Sequence, residues 1–234
     1  MRRLILSLGL AVCATAIAPR PAQAQQAFSF YVGAFAPRAE DARDPNDVLV
    51  NNRAFLDFNI DNFRAATVGA EWLVKLSDKT EAGLGLGFYQ HTEPAFDRFS
   101  VFDTTGDAIE ADLKLRVVPF TATLRYLPMG HGGPIEPYVG GGIGVFAWRY
   151  SETGDFVATD AVTIVHGSFS ASGGQVGPVI LGGVRFPFGG GGGSVGGEIR
   201  YQSATAKLPS DQGFAGSKID LGGFNYLLTV NIGF

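Results

Sequence analysis

Cysteine is nearly absent from this chain of 234 residues: Cys13 is the only one. It falls in the first 24 residues, so the remainder has no thiol, disulfide or cysteine-held metal site. Histidine is scarce too. His91, His131 and His166 lie too far apart in the chain for metal-ligand spacing. Positive charge is also short, with 18 basic against 22 acidic residues. A nucleic-acid binder needs the opposite balance, clustered on one face. Long hydrophobic runs are missing beyond the N terminus, and none approaches the ~18 residues of a membrane-spanning helix.

The N terminus has the parts of an export signal. Met1-Arg2-Arg3 is a short positive region, Leu4 to Ala18 is apolar, and Ala22-Gln23-Ala24 is a small-x-small cleavage site. The expected division is a cleaved signal peptide, 1–24, and one domain, 25–234. Losing Arg2, Arg3 and Arg20 from the 18 basic residues leaves 15 against 22 acids, a net charge of −7.

Glycine (33) and phenylalanine (19) are abundant, and the apolar residues recur with period two. The final stretch is the clearest case. Phe224, Tyr226, Leu228, Val230, Ile232 and Phe234 share one face, against Asn225, Leu227, Thr229, Asn231 and Gly233. That is a β-strand with one apolar face. Seven more segments read the same way: 28–36, 66–76, 81–91, 112–127, 135–150, 175–188 and 195–207, with the last strand spanning about 218–234. Each reaches the ~9–11 residues that cross a bilayer at a tilt. Short turns at 77–80, 128–134 and 189–193 alternate with long loops at 37–64, 92–109, 151–173 and 208–217. Within the third loop, 156–165 alternates weakly, which either extends the hairpin or adds two strands.

The expected fold is all-β: an eight-stranded antiparallel up-and-down transmembrane β-barrel. Alternation alone leaves a soluble barrel open, because either face of a strand such as 66–76 could be the core. The signal peptide, the outward aromatics and the short-turn/long-loop asymmetry select the membrane version. One strand departs from simple alternation. Leu113, Leu115 and Val117 are apolar before Pro119, and Phe120, Ala122, Leu124 and Tyr126 after it. This change of parity predicts a β-bulge at Val118–Pro119, where a proline is tolerated.

The segments Val118–Leu127, Pro137–Val145, Gly182–Phe188 and Gly196–Tyr201, with the aromatic closing strand, resemble the small OmpA/OmpX/OmpW-type outer-membrane barrels, a porin-family-like group. The resemblance covers 25–234 and implies a place in a Gram-negative-type outer membrane. It implies contact with outer-membrane lipids and lipopolysaccharide, and with the barrel-assembly machinery and periplasmic chaperones during biogenesis. It also makes Phe224, Tyr226, Leu228, Val230, Ile232 and Phe234 the assembly signal. A monomer is expected, with no cofactor and no peptidoglycan-binding domain after the last strand.

The inward parity collects Glu71, Lys75, Arg125, Arg185, Glu198 and Arg200. Eight strands leave an interior that side chains just fill, and buried charges need partners. A self-satisfied plug is therefore favoured over an ion-selective pore or a path for small hydrophobic solutes. Gly83, Gly85 and Gly87, with Gly140, Gly142 and Gly144, make room on the same face. Gly189–Gly193 lacks the Lys-Ser/Thr of a phosphate loop. His166-x-Ser168 faintly resembles lipid A deacylases, but a serine nucleophile needs an oriented base, and no enzyme is expected. The loops mix acids such as Asp44, Asp47, Asp57 and Asp61 with Arg38, Arg43, Arg53, Arg64 and Arg98. These suit a solvated surface, or contacts to lipid phosphates and divalent cations. Phe55, Phe58, Phe63, Phe96, Phe99 and Phe102 are unusual in plain loops.

Overall fold

A computed structural model describes residues 26–102, 106–157, 163–188 and 192–234. The expected signal peptide and part of the expected 189–193 turn lie outside the described residues. The strands are β1 (Gln26–Pro37), β2 (Leu56–Asp57), β3 (Ala65–Ser77), β4 (Thr80–Val101), β5 (Ala108–Tyr126), β6 (Glu136–Val157), β7 (Ile164–Phe188), β8 (Gly193–Gln202), β9 (Thr205–Lys207), β10 (Lys218–Asp220) and β11 (Gly223–Gly233). Eight of them, β1, β3–β8 and β11, pair antiparallel with their neighbours in sequence. β1 also pairs with β11, from Ala27↔Gly233 to Pro37↔Gly223, and this closes the ring. The closure holds at the end with the short turns; towards the other end only β4–β7 continue, so β4 beyond Tyr89 and β7 before Val179 leave the ring as sheet edges, that of β4 capped by β2 at Phe96–Asp97.

Short connections gather at one end, here the turn end. The 77–80 turn is held by Ser77 Oγ and Thr80 Oγ1 at 2.7 Å. The 128–135 turn needs left-handed backbone at Gly130 (φ 72) and Gly132 (φ 88), which glycine adopts without steric cost. The other end is the loop end. There four of the strands, β4 to β7, with 19 to 25 residues each, run far beyond a bilayer. β4 has 22 residues, roughly 70 Å at about 3.3 Å per residue. Tilted by ~40°, it stands roughly 55 Å tall, twice the ~25 Å apolar band of a membrane barrel.

The extra height explains two departures from expectation. The second and third long loops are largely strand. β6 and β7 pair out to Val157↔Ile164, so 156–165 extends a hairpin and adds no crossing. The first and fourth loops instead fold over the mouth. The first carries the short helix Val48–Asn52 and a 3-10 turn at Ile60–Phe63. The expected 195–207 and 218–234 strands each break in two, because β9 and β10 leave the wall and pair with each other. On and beside them, Ala204, Ala206, Leu208, Ile219 and Leu221 turn into an apolar core.

The parity change in β5 is a change of surroundings and not of geometry. The β5–β6 ladder runs unbroken from Ala111↔Gly154 to Tyr126↔Val139, so the expected bulge at Val118–Pro119 is absent. The β4–β5 register likewise keeps one offset across Leu86↔Phe120 and Tyr89↔Val117. Odd-numbered residues point inward throughout: Ile109, Leu113, Leu115 and Val117 are buried, and so are Thr121, Thr123 and Arg125. Even-numbered ones point outward, as Asp112, Lys114 and Arg116 and then Phe120, Leu124 and Tyr126. The barrel therefore has two storeys. The turn-end storey is apolar outside and polar inside. The loop-end storey, the β4–β7 sheet backed by the first and fourth loops, is polar outside and apolar inside, like a soluble domain. The same inversion appears on β4, where Leu84, Leu86 and Phe88 give way outside to Gln90 and Thr92, and on β6, where Ile143 and Val145 give way to Arg149.

Candidate functional site in the lumen

Parity places the polar set. In the turn-end storey, inward residues of β3, β5, β6, β7 and β8 converge on the axis. Glu71 accepts from Thr123 Oγ1 at 2.9 Å and Arg200 Nη2 at 3.1 Å, and it also pairs with Arg125. Glu198 takes Arg125 at 2.9 Å, Arg200 at 2.7 Å and the Tyr138 hydroxyl at 3.0 Å. Two carboxylates and two guanidinium groups thus form one ring with balanced charge. Nearer the turns, Arg185 makes a bidentate pair with Glu81, 2.8 Å on both oxygens. Bidentate geometry is the strong form of this interaction. The rings of Tyr138 and Tyr31 back the cations: Arg185 lies 4.6 Å from the Tyr138 centroid and Arg200 5.4 Å from that of Tyr31.

Five of the six expected lumen charges, Glu71, Arg125, Arg185, Glu198 and Arg200, are brought together. Lys75 keeps the inward parity opposite Glu81 and lines the turn-end mouth of the lumen with Glu81 and Arg185, but its ammonium turns to the exposed Asp78 at 3.0 Å. Sequence reading passed over Glu81, Tyr138, Tyr31 and Thr123. The signal was there: Glu81 shares parity with Gly83, Gly85 and Gly87, and Tyr138 with Gly140, Gly142 and Gly144. The glycines act as spacers. A Cβ on Gly83 would lie 2.3 Å from Glu71 Oε1, and one on Gly87 2.7 Å from the Tyr31 hydroxyl.

Above this layer the lumen is filled by the apolar core of the loop-end storey. Phe58 and Phe63 from the first loop are buried there, packed with Phe35, Leu113, Phe146 and Trp148. Phe96 and Phe99 stand exposed. The loop acids and arginines mostly pair with each other. Buried Arg43 holds Asp47 at 3.0 Å and the Asp220 carbonyl at 2.9 Å. Asp47 also accepts from the backbone N–H of Leu49, capping the short helix, and from that of Asp220. Arg38 reaches Asp220 at 2.8 Å and Lys218 reaches Asp44 at 2.7 Å. The first and fourth loops are thus clasped together.

Glu152 in the same storey has no cation. It accepts from Asn52 at 2.7 Å and from Tyr150 at 2.8 Å, and burial pushes its carboxyl up from the ordinary range. The folded state then holds a proton more firmly than the unfolded chain. Its contribution to stability is present in full below the unfolded carboxyl value of about 4.3. It is lost as pH rises to the folded value. Glu152→Gln should flatten this fall, measured as the unfolding midpoint of the first loop against pH. An unchanged pH profile would refute the assignment.

The histidines each lie beside a carboxylate. His91 pairs with Glu93 at 3.2 Å, and His131 lies 3.6 Å from Glu81 in the turn-end vestibule. His166 and Ser168 lie on β7 and not in a loop. His166 Nδ1 meets Asp155 at 2.9 Å, whereas Ser168 meets Thr153 at 3.1 Å. Among the described residues no group of three His, Cys, Asp or Glu side chains could hold a metal.

On the outside, Phe28, Trp72, Tyr126, Phe186, Phe188 and Phe234 lie towards the turn end, and Phe88, Phe224 and Tyr226 towards the middle, all solvent-facing in the isolated chain. An apolar belt edged with aromatics is the surface that a bilayer covers. The expected closing face, Phe224, Tyr226, Leu228, Val230, Ile232 and Phe234, is outward along its whole length.

No family model matches the sequence, and no curated protein matches it. The architecture does have counterparts among solved structures. The outer membrane protein OprG from Pseudomonas aeruginosa is similar over 90% of this chain and 96% of its own, with a TM-score of 0.51 at 15% identity. The chain has the fold of a small outer-membrane β-barrel. Neisserial surface protein A gives a TM-score of 0.46 at 12% identity, over 90% of this chain and 97% of that one. At this identity the likeness to OprG is one of architecture.

Proposed function

We propose that the protein is an integral outer-membrane barrel, closed to solutes, that strengthens the envelope and presents its loop-end storey at the cell surface. The short turns face the periplasm in this reading, and the loops face outward. The observation that carries it is the ion-paired layer across the lumen: the buried arginines Arg125, Arg185 and Arg200 are each held by Glu71, Glu81 or Glu198, while a fourth buried glutamate, Glu136, at the turn-end mouth accepts from the Gly132 N–H. An ion-selective pore lined by charge leaves one sign in excess and hydrated, whereas here the arginines that cross the lumen are each spent on a glutamate. The clasped loops and apolar core above supply a second barrier.

The test is planar-bilayer recording with the refolded mature chain. The expected result is insertion, seen as heat-modifiable gel mobility, without unitary current steps. Reproducible wild-type channels would overturn the closed reading in favour of a narrow pore.

A further inference from the structure

Three cations stand together on the outer wall. Arg116 of β5 and Arg149 of β6 are directly opposed in the ladder, and Lys114 lies opposite Ser151, one diagonal step from Arg149. Facing side chains in such pairs approach to about 5 Å, diagonal ones to about 7–8 Å, and like charges directly opposite are destabilising. All three are exposed. None takes part in any ion pair among the described residues, although most other basic residues of the barrel and loops do. Asp112, on the same face, is one step further from the belt and opposes Pro94 and Thr153. The amide of Gln90 and the hydroxyl of Ser151 complete a cleft of about 180 Å³ with the three cations.

The position of this cleft identifies its occupant. Below it on the same outer face come Phe88 and the Val118–Ala147 pair and then Phe120 and Val145, the upper edge of the apolar belt. Cations at this depth meet lipid headgroups, and three unanswered positive charges call for an anion of more than one charge. We propose that Lys114, Arg116 and Arg149 bind the phosphates of a phosphorylated glycolipid of the outer leaflet, whose acyl chains lie along Phe88, Phe120 and Val145. A soluble phosphate would use the cations and make no use of the belt. The proposal rests on the outer-membrane reading, with the loop end outward.

The experiment uses the refolded mature chain in phosphatidylcholine nanodiscs, with or without bisphosphorylated lipid A. The readouts are the thermal unfolding midpoint and lipid retention by native mass spectrometry. Lipid A should raise the wild-type midpoint and remain bound. The variant K114Q/R116Q/R149Q should bind at least tenfold more weakly. Without lipid A it should be no less stable than the wild type, because the opposed like charges are gone. K75Q at the other rim is the charge control and should bind as wild type does. Equal binding by the triple variant, or by dephosphorylated lipid A, would overturn the site. Pyrophosphate bound as tightly as lipid A would overturn the lipid as its ligand. A wild-type chain that fails to enter nanodiscs would refute the membrane reading itself, and the site with it.

Discussion

Glu71→Ala should cost the barrel about 3–5 kcal/mol, the usual consequence of removing one partner from a buried charge pair. Glu71 is 1% exposed and serves Arg125, Arg200 and Thr123 together. Without it, two guanidinium groups share the single carboxylate of Glu198, and one positive charge has no answer. Relaxation is limited, because the Tyr138 and Tyr31 rings fix the cations from behind. Glu71→Gln should fall between wild type and alanine, as it retains hydrogen-bonding capacity without the charge. The measurement is denaturant unfolding of the refolded barrel, with bilayer recording of the same samples. Water and counter-ions drawn to the unpaired arginine should produce intermittent leakage in the alanine variant. A loss under about 1 kcal/mol would mean that the ring is solvated like a surface pair, and the closed-lumen reading would fail with it.

The second large effect should be local to the loop end. Asp47→Ala strands the buried Arg43 guanidinium, uncaps the Val48–Asn52 helix and removes the acceptor for the Asp220 N–H. The stranded charge is again worth about 3–5 kcal/mol, and the lost cap about 1 kcal/mol. Because the clasp lies above the belt, the membrane storey should be spared. Hydrogen exchange should accelerate selectively across 38–64 and 204–222, with new proteolytic cuts there, while heat-modifiable mobility stays wild type. Uniform acceleration through the wall strands would contradict the separation into two storeys.

Much of the wall was legible in the sequence because a strand repeats its facing every second residue. The closing strand, the short turns and five lumen charges all follow from that period. Glu81 and Tyr138 were legible by the same parity and were passed over, since each stands at the first residues of a strand, where facing is least constrained by neighbours. Lys75 has the facing that the period gives it, opposite Glu81; its partner, Asp78 in the adjoining turn, is what no period reports.

The β5 strand marks where the sequence stops being sufficient. A residue pattern records only which environment each face meets. An extra residue that swaps the faces, and a membrane surface that swaps the environments, write the same pattern. Leu113-x-Leu115-x-Val117 followed by Phe120-x-Ala122-x-Leu124 is compatible with both. The unbroken ladder decides for the second, and in doing so turns expected loops into a tall upper storey. The sequence alone established an all-β barrel, through its alternation, and its membrane type, through the outward aromatics and the short-turn/long-loop asymmetry. Only the tertiary structure decided where the apolar belt stops, that the first and fourth loops fold inward and clasp, and that three cations face outward at the belt's edge. Those features depend on pairings such as Arg43 with Asp220 or Arg116 with Arg149, far apart in the chain, and spacing along the sequence carries no information about them.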